Sequence, residues 1–491
     1  MTIQTQFSTD PNAIVTVNVS IIEAPTPNTY QRSGAFVSFG ATSMVPGDTE
    51  LLTQMSDLTQ WLQAPRAITS ATWAGGAVTI TTTLPLLHGA IGDNILFYIS
   101  GFVPAAYNGL YTVTVTASNA FTYPLTSNPG SVTTLGTYLP QKCNELSQMA
   151  STYFGQGNEV GVWILEIGYQ NTPANETTAF QTWLTNNPLT IYGFLMPRHF
   201  GSDPLTLGSS AAPTAFTNLL KQYQNPEAME YFWLTVTPST MSNLGSTYKD
   251  VVQMVEAPAL TDPTQNNITN PNGEFSLAAA FYNALVYRAS NTNRVAPMAF
   301  KYLYGVTQYP QKGNGPLLVS FKTANTNYVT TGAEGGIAFT MIYEGVTLDG
   351  HDYFNWWYTI DWVQIQVNLD LSNAIINGSN NPLAPLYYNQ DGINFLETVL
   401  FGTMQDAQTF GMVLGKIEMT QFDGPDLTAA IQAGTFAGKC DVNAVPFLNY
   451  TLANPGDYKI GEYDGLSSLF IPARGFIHIL VNIVASDLVS I

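Results

Sequence analysis

Residues 160–168 (VGVWILEIG), 176–184 (ETTAFQTWL), 189–197 (LTIYGFLMP), 211–223 (AAPTAFTNLLKQY) and 231–238 (YFWLTVTP) decide the fold. The first, third and fifth are short, almost unbroken apolar runs, the pattern of strands buried on both faces. The second and fourth carry apolar residues at helical spacing. Their alternation predicts an α/β layer with helices over both faces of a sheet. Upstream, Leu146, Met149, Ala150 and Tyr153 predict a helix that ends at Gly155-Gln-Gly157, and downstream a longer helix is expected from Phe275 to Ala289.

Further out, Gly34 to Phe39 reads as another strand, and Asp48 can cap a helix with Leu51, Met55, Leu58 and Leu62 on one face. From Ala67 to Thr137 the composition shifts to Thr, Gly, Tyr and Val, with Asp93 the only charged residue. The runs AVTITTT, NILFYIS, GLYTVTVT and AFTYPLT, separated by short turns, predict a small all-β sandwich or barrel inserted into the α/β region. After the Pro- and Gly-rich stretch 310–316 come TANTNYVT, GIAFTMIYEGVTL, a helix from Trp356 to about Ile376 and another from Gly392 to Phe401. Both ends alternate in period two: Val15, Val17, Val19 and Ile21 near the start, Ile477, Ile479, Val481 and Ile483 near the finish.

The expected fold class is therefore α/β (α+β) and multidomain: a mixed-sheet α/β core, an inserted small β domain and terminal strand arms. The expected divisions are 1–30 (arm and linker), 31–66 with 138–309 (α/β), 67–137 (insertion), 310–474 (C-terminal unit) and 475–491 (arm).

The chain has 491 residues, with 15 Lys and Arg against 34 Asp and Glu, a net charge of −19. That balance argues against general nucleic-acid binding, which needs basic residues to neutralise phosphate. Only 10% of residues are charged, against about 25% in ordinary soluble domains. Charge is depleted at interface cores, so a surface covered by copies or partners is expected. Cys143 and Cys440 are the only cysteines, too few for a disulfide framework or a thiolate zinc site, and reducing cytoplasm is the expected place of synthesis. The N-terminus lacks a signal-peptide pattern, and the longest apolar run, Phe476 to Val484, is too short for a membrane span.

His88, His199, His351 and His478 stand singly, without helical metal-ligand spacing. GAEGG at 332–336 lacks the lysine of a phosphate loop. No catalytic, cofactor or metal residues are therefore assigned. The most enzyme-like patch holds Glu344, Asp349, Asp352 and Asp361 among Trp356, Trp357 and Trp362, a set that glycoside hydrolysis could use. Substitution of Asp349, Asp352 or Asp361 is nonetheless expected to alter only folding or assembly. Trp73, Tyr98, Tyr107 and Tyr111 of the insertion could stack on sugars, although strand aromatics are more often core.

Taken in order, IVTVNVS (14–20), MASTYFGQGNEVGVWILEIG (149–168), ANTNYVTTGAEGG (324–336) and EGVTLDGHDYFNWWYTIDWVQIQV (344–367) resemble the tail sheath proteins of contractile phages, in their divergent myophage branch. LLHGAIGDNILFYISGFVPAAYNGLYTVT (86–114) resembles small β-domains of phage structural proteins. The resemblance implies a subunit that polymerises helically around a tail tube and contracts to drive it through the host envelope, in the virion tail after assembly in the host cytoplasm. Implied partners are other copies of the chain, the tail tube protein, and baseplate and tail terminator proteins, with neither nucleic acid nor membrane. It implies that the two terminal arms add strands to neighbouring subunits. It also implies basic residues toward an acidic tube, for which Lys416 and Lys439 are candidates. Residues 381–491 depart from that pattern, with four basic residues and eleven acidic ones. The alternative is a non-contractile phage structural or adhesive protein whose β domain binds glycans.

Overall fold

The computed structural model describes residues 26–209, 211–225, 228–257, 274–310, 314–331, 339–349 and 353–476. Val15, Val17, Val19, Ile21, Ile477, Ile479, Val481 and Ile483 lie outside the described residues, as do Asp352, His351, His478 and the GAEGG stretch; of the expected arms only residues 26–30 and 475–476 are described.

Among the described residues a one-turn helix at Pro27–Tyr30 leads into β1 (Gly34–Ser38) and β2 (Thr49–Leu52). It then runs through six strands, β3 (Arg66–Ala74), β4 (Ala77–Thr82), β5 (Asn94–Ser100), β6 (Gly109–Ala117), β7 (Ala120–Pro124) and β8 (Thr137–Pro140). After a helix at Gln141–Phe154 come β9 (Val162–Glu166), a helix at Pro173–Asn186, β10 (Gly193–Leu195), β11 (Tyr231–Val236) and β12 (Val251–Val255). A helix at Ser276–Leu285, then β13 (Asn327–Thr331) and β14 (Thr340–Tyr343), complete this part.

The main sheet has the order β14-β13-β12-β11-β10-β1-β9-β2. Neighbours from β13 to β9 are parallel, while β14 and β2 pair antiparallel at the two edges. Both faces are covered, so successive residues of one strand enter different cores. On β11, Tyr231 and Trp233 pack toward the helices Gln141–Phe154 and Ser276–Leu285. Phe232, Leu234 and Val236 pack toward Phe180, Trp183 and Leu184 of the helix Pro173–Asn186. This two-sided burial makes the strand run continuously apolar. Gly34 is paired directly with Gly193, where the helix Ser276–Leu285 presses on the sheet. A Cβ at Gly34 would lie 2.2 Å from Leu285 Cδ1 and 2.7 Å from Phe281 Cζ.

The helix expected after Asp48 is not formed. Thr49–Leu52 is β2, followed by a 3-10 turn at Met55–Gln60. Backbone pairing with β9 wins over the helical spacing, burying Leu52 and leaving Leu51 exposed. The Asp57 carboxylate then accepts from Thr53 N and Oγ1, both at 2.8 Å, which tightens the turn.

The inserted strands close into a barrel, β3-β4-β7-β6-β5-β8. Ile68, Val78, Ile80, Phe97, Ile99, Val113, Val115 and Phe121 fill its interior as a separate core, with threonines alternating outward. The closing pair is β3 with β8, and Arg66 opposes Tyr138, so the chain enters and leaves at one place. Replacing residues 67–137 by a short Gly/Ser linker is therefore expected to leave a folded protein. Retention of a single cooperative thermal transition and of helical circular dichroism checks this; an insoluble product contradicts it.

The C-terminal part begins with a helix at Phe354–Ser379 and a second at Gln390–Thr409. Five short strands follow: β15 (Val413–Leu414), β16 (Lys416–Thr420), β17 (Lys439–Ala444), β18 (Leu466–Leu469) and β19 (Ile471–Pro472). β16 and β17 are parallel, joined through a helix at Gly424–Gln432, and β18 pairs antiparallel with β17. The first turns of the Phe354–Ser379 helix belong to the α/β core. Phe354 packs edge-on to Tyr231 and Trp233, with ring centroids at 5.4 and 5.3 Å.

Candidate functional site

The carboxylates of the enzyme-like patch are engaged by the fold, Asp349 and Asp361 both acting on the Lys249 ammonium. Asp361 is fully buried, and its Oδ2 accepts from the Tyr192 and Tyr231 hydroxyls at 2.8 and 2.9 Å. Asp349 accepts from Trp357 Nε1 at 2.8 Å and from Thr347 Oγ1 at 2.9 Å. Glu344 sits 3.5 Å from Lys322 Nζ. Each therefore ties an element down. The barrel aromatics are likewise engaged: Tyr107 is buried, Tyr111 stacks on Tyr123 at 4.3 Å, and Trp73 Nε1 donates to the Leu125 carbonyl.

A phosphate-type nest does exist after β1, but the chain fills it with its own carboxylate. Glu166, at the end of β9, is 1% exposed. Its Oε1 accepts from the backbone N–H groups of Gly40 and Gly168 at 2.6 and 2.7 Å. Its Oε2 accepts from Ser38 Oγ, Thr42 Oγ1 and Thr42 N at 2.7, 2.7 and 3.2 Å. Oriented backbone amides of this kind bind anions, and here the anion is a side chain. The one acidic residue within VGVWILEIG was the available sequence signal for it. Among the described residues no group of three or more His, Cys, Asp and Glu is placed to hold a metal, and no helix is long and apolar enough to cross a membrane.

The C-terminal sheet offers a surface of a different kind. Among the described residues β16 and β18 each pair only with β17, so both outer strands have one side of the backbone without a ladder. Beside β18 lies a groove of about 690 Å³, lined by the two long helices and by β18 itself. Its wall is mostly aliphatic and aromatic, including Val367, Leu371, Ile393, Leu396, Leu466 and Phe470. No local pattern announces this groove, because its walls come from residues more than 90 positions apart, Val363 and Ser468 among them. Lys416 and Lys439 are direct neighbours across β16 and β17. Both reach Glu418, at 3.4 and 3.1 Å, and their hydrogen bonds hold its carboxyl below the usual range.

No protein-family model matches the chain, and no curated protein matches it. Among solved structures it is similar to the sheath tail protein Lin1278 from Listeria innocua: 11% identity, 79% of this chain and 90% of that chain covered, TM-score 0.39. It is also similar to a chain of the anti-feeding prophage baseplate: 10% identity, 98% of this chain and 99% of that chain covered, TM-score 0.49.

Proposed function

We propose that the chain is the structural subunit of a contractile tail sheath, polymerising helically around a tail tube and contracting to drive that tube through the host envelope. One observation carries this reading. A small sheet has open outer strands and an apolar groove beside one of them, and both ends of the chain carry alternating strand sequences. An unpaired edge is a template for strand addition. Residues 13–22 and 476–484 of neighbouring copies are the segments proposed to fill it, linking subunits by backbone ladders while their bodies move. Head-to-tail contacts give a helix when their rotation does not close into a ring.

The partners of such a subunit are its own copies, a tail tube protein, and baseplate and terminator proteins; its place is the virion tail, after assembly in the host cytoplasm. Lys416 and Lys439 are the proposed tube-facing cations. The work of contraction comes from the free energy difference between two packings of the same subunits, so the role is not enzymatic.

Electron microscopy of the purified protein tests the reading: hollow helical tubes are expected. Deletion of residues 1–22 or 476–491 is expected to leave a folded monomer by circular dichroism that forms no tubes. Tubes that persist in both truncations would show that the arms are not the linkage. Discrete particles from the full chain would overturn polymerisation and favour a non-contractile adhesive protein.

A further inference from the structure

The few charges of the chain are unevenly spread. Between Glu274 and Glu334 there is no acidic residue, and five of the 15 basic ones fall there (Arg288, Arg294, Lys301, Lys312 and Lys322), in a chain of net charge −19. Lys322 is paired with Glu344. Arg288, Arg294 and Lys301 make no ion pair among the described residues. Arg288 and Arg294 are exposed and flank the turn in which Ser290 bridges to Asn293. The Lys301 ammonium lies 5.3 Å from the centre of the Tyr287 ring, one residue before Arg288.

The same stretch carries an exposed aromatic row. Residues 300–303 run beside β14, the Phe300 N–H donating to the Ile342 carbonyl and the Leu303 N–H to that of Thr340, both at 2.9 Å. Extended backbone sends successive side chains to opposite sides. Leu303 is buried, while Phe300, Tyr302 and Tyr304 are exposed. Phe339 joins them, its ring centroid 5.4 Å from that of Tyr302. Aromatic residues and arginine are the types enriched where proteins meet. Here they stand together, apolar anchors beside unpaired cations.

A second surface has the opposite charge. In the turn between the two long helices Leu383 is 94% exposed, and Tyr387 is exposed as well. Leu452 and Ile460, on short helices at Phe447–Ala453 and Pro455–Ile460, are 74% and 70% exposed. Tyr388 joins turn and helices, its ring 5.8 Å from Phe447 and 5.2 Å from Tyr458. Exposed apolar groups gathered in this way mark interaction sites. Asp391, Glu462 and Asp464 are exposed among them and make no ion pair among the described residues, with Lys459 as the opposing charge. A crevice of about 480 Å³ opens at the turn, walled by Gly378, Leu386, Tyr387 and Phe395, and Asp391 lines it too. An apolar socket with a carboxylate in its wall suits an aromatic anchor flanked by cations.

We propose that these surfaces are the two halves of one contact between copies of this chain: the aromatic row and cations of one copy seat on the helix-turn end of the next, an exposed tyrosine of the row entering the crevice beside Tyr387. Charge selects the occupant. Copies of a chain with net charge −19 repel one another, and this pairing sets the basic stretch against the acidic end. Two different patches meet, so the contact is heterologous and passes from copy to copy. It rests on the self-assembly of the proposed function and adds a contact between bodies to the strand arms.

Charge reversal in the full chain, read by sedimentation velocity and electron microscopy, tests this. Arg288→Glu with Arg294→Glu sets acid against acid; Asp391→Lys with Glu462→Lys and Asp464→Lys sets base against base. Each variant alone is expected to need roughly tenfold or more the wild-type concentration to assemble, since like charges then meet across the contact. An equal mixture of the two is expected to regain assembly, because every acidic surface again finds a basic one. Should either variant fail to fold by circular dichroism, Tyr302→Ser with Tyr304→Ser, which leaves the crevice without its anchor, decides by the same loss. Variants that assemble at the wild-type concentration, or that stay apart when mixed, overturn the contact and leave the assembly reading standing. A wild-type chain that remains monomeric overturns that reading and the contact with it.

Discussion

Replacing Arg198 with alanine is expected to cost about 3–5 kcal/mol of folding stability, the range found when one partner of a buried ion pair is removed. The guanidinium is the hub beneath the carboxyl ends of β10 and β12. Nε donates to Glu256 Oε2 at 2.9 Å, Nη1 to Gln148 Oε1 at 2.9 Å and Nη2 to the Glu274 carbonyl at 2.8 Å. Its flat face lies 4.2 Å from the centre of the Phe275 ring. Without it the Glu256 side chain, 0% exposed, keeps the Leu277 N–H at 3.2 Å as its one hydrogen-bond donor among the described residues. Burial already raises the Glu256 carboxyl above its usual range, and Arg198 is the main influence that lowers it. Arg198→Lys is expected to recover little, since a point charge cannot meet three acceptors in a planar fork. Urea denaturation followed by circular dichroism measures the loss; a change under about 1 kcal/mol, the scale of an exposed pair, would show that the cluster does not hold the fold.

The second large effect is a pH dependence centred on Asp361. This carboxyl is pushed up to about 7, chiefly by burial; Lys249 and the hydrogen bonds from Tyr192 and Tyr231 pull it back only in part, and the Glu230 carboxylate pushes it further. Asp250, close by and without a partner for either oxygen among the described residues, is pushed up to about 8 by the same burial. Lys249, the cation facing both, is itself lowered by burial, donates to the Ala228 carbonyl at 2.6 Å and lies over the Trp357 ring. A raised carboxyl holds its proton more tightly in the folded chain than in the unfolded one. The stability it contributes is complete below about pH 4 and is lost as pH rises toward 7 for Asp361 and 8 for Asp250. Asp361→Asn keeps an oxygen for both tyrosine hydroxyls and carries no titrating proton. Relative to wild type the variant is expected to gain stability between pH 5 and 7, by up to about 1.4 kcal/mol per pH unit, and to hold that advantage above it. Parallel urea melts at pH 5.5 and 8 check the sign: a gap that is constant, or that shrinks with rising pH, contradicts it.

How far the sequence carried depends on where each signal resides. Strands such as Tyr231–Val236 are buried on both faces, so burial writes itself into consecutive residues and the α/β core was legible. The barrel's middle strands were legible for a related reason, because alternating residues face its core. Its closing strands β3 and β8 were not read. Arg66–Ala74 buries only Ile68 in nine residues, and Thr137–Pro140 is four residues long. The Asp48 segment was misread because Leu51 and Leu58 share a helical face, whereas the edge of a sheet rewards backbone pairing regardless of that face. Asp361 had the composition of a catalytic carboxylate. Its partners Tyr192 and Tyr231 lie 169 and 130 residues away, and no spacing rule reaches that far.

The carboxylate of Glu166 in the nest after β1 has a consequence for any particle built from this chain. A nucleotide that sought the same backbone amides would have to expel a buried, five-times hydrogen-bonded side chain before its own phosphate could bind. Fuel therefore has no foothold at the place where this strand order would otherwise admit it. Under the proposed function, each subunit is loaded when it joins the assembly and discharges once, with no chemical cycle at that position to rewind it. Under that proposal such a particle would behave as a single-use spring, its count of strokes the count of particles made.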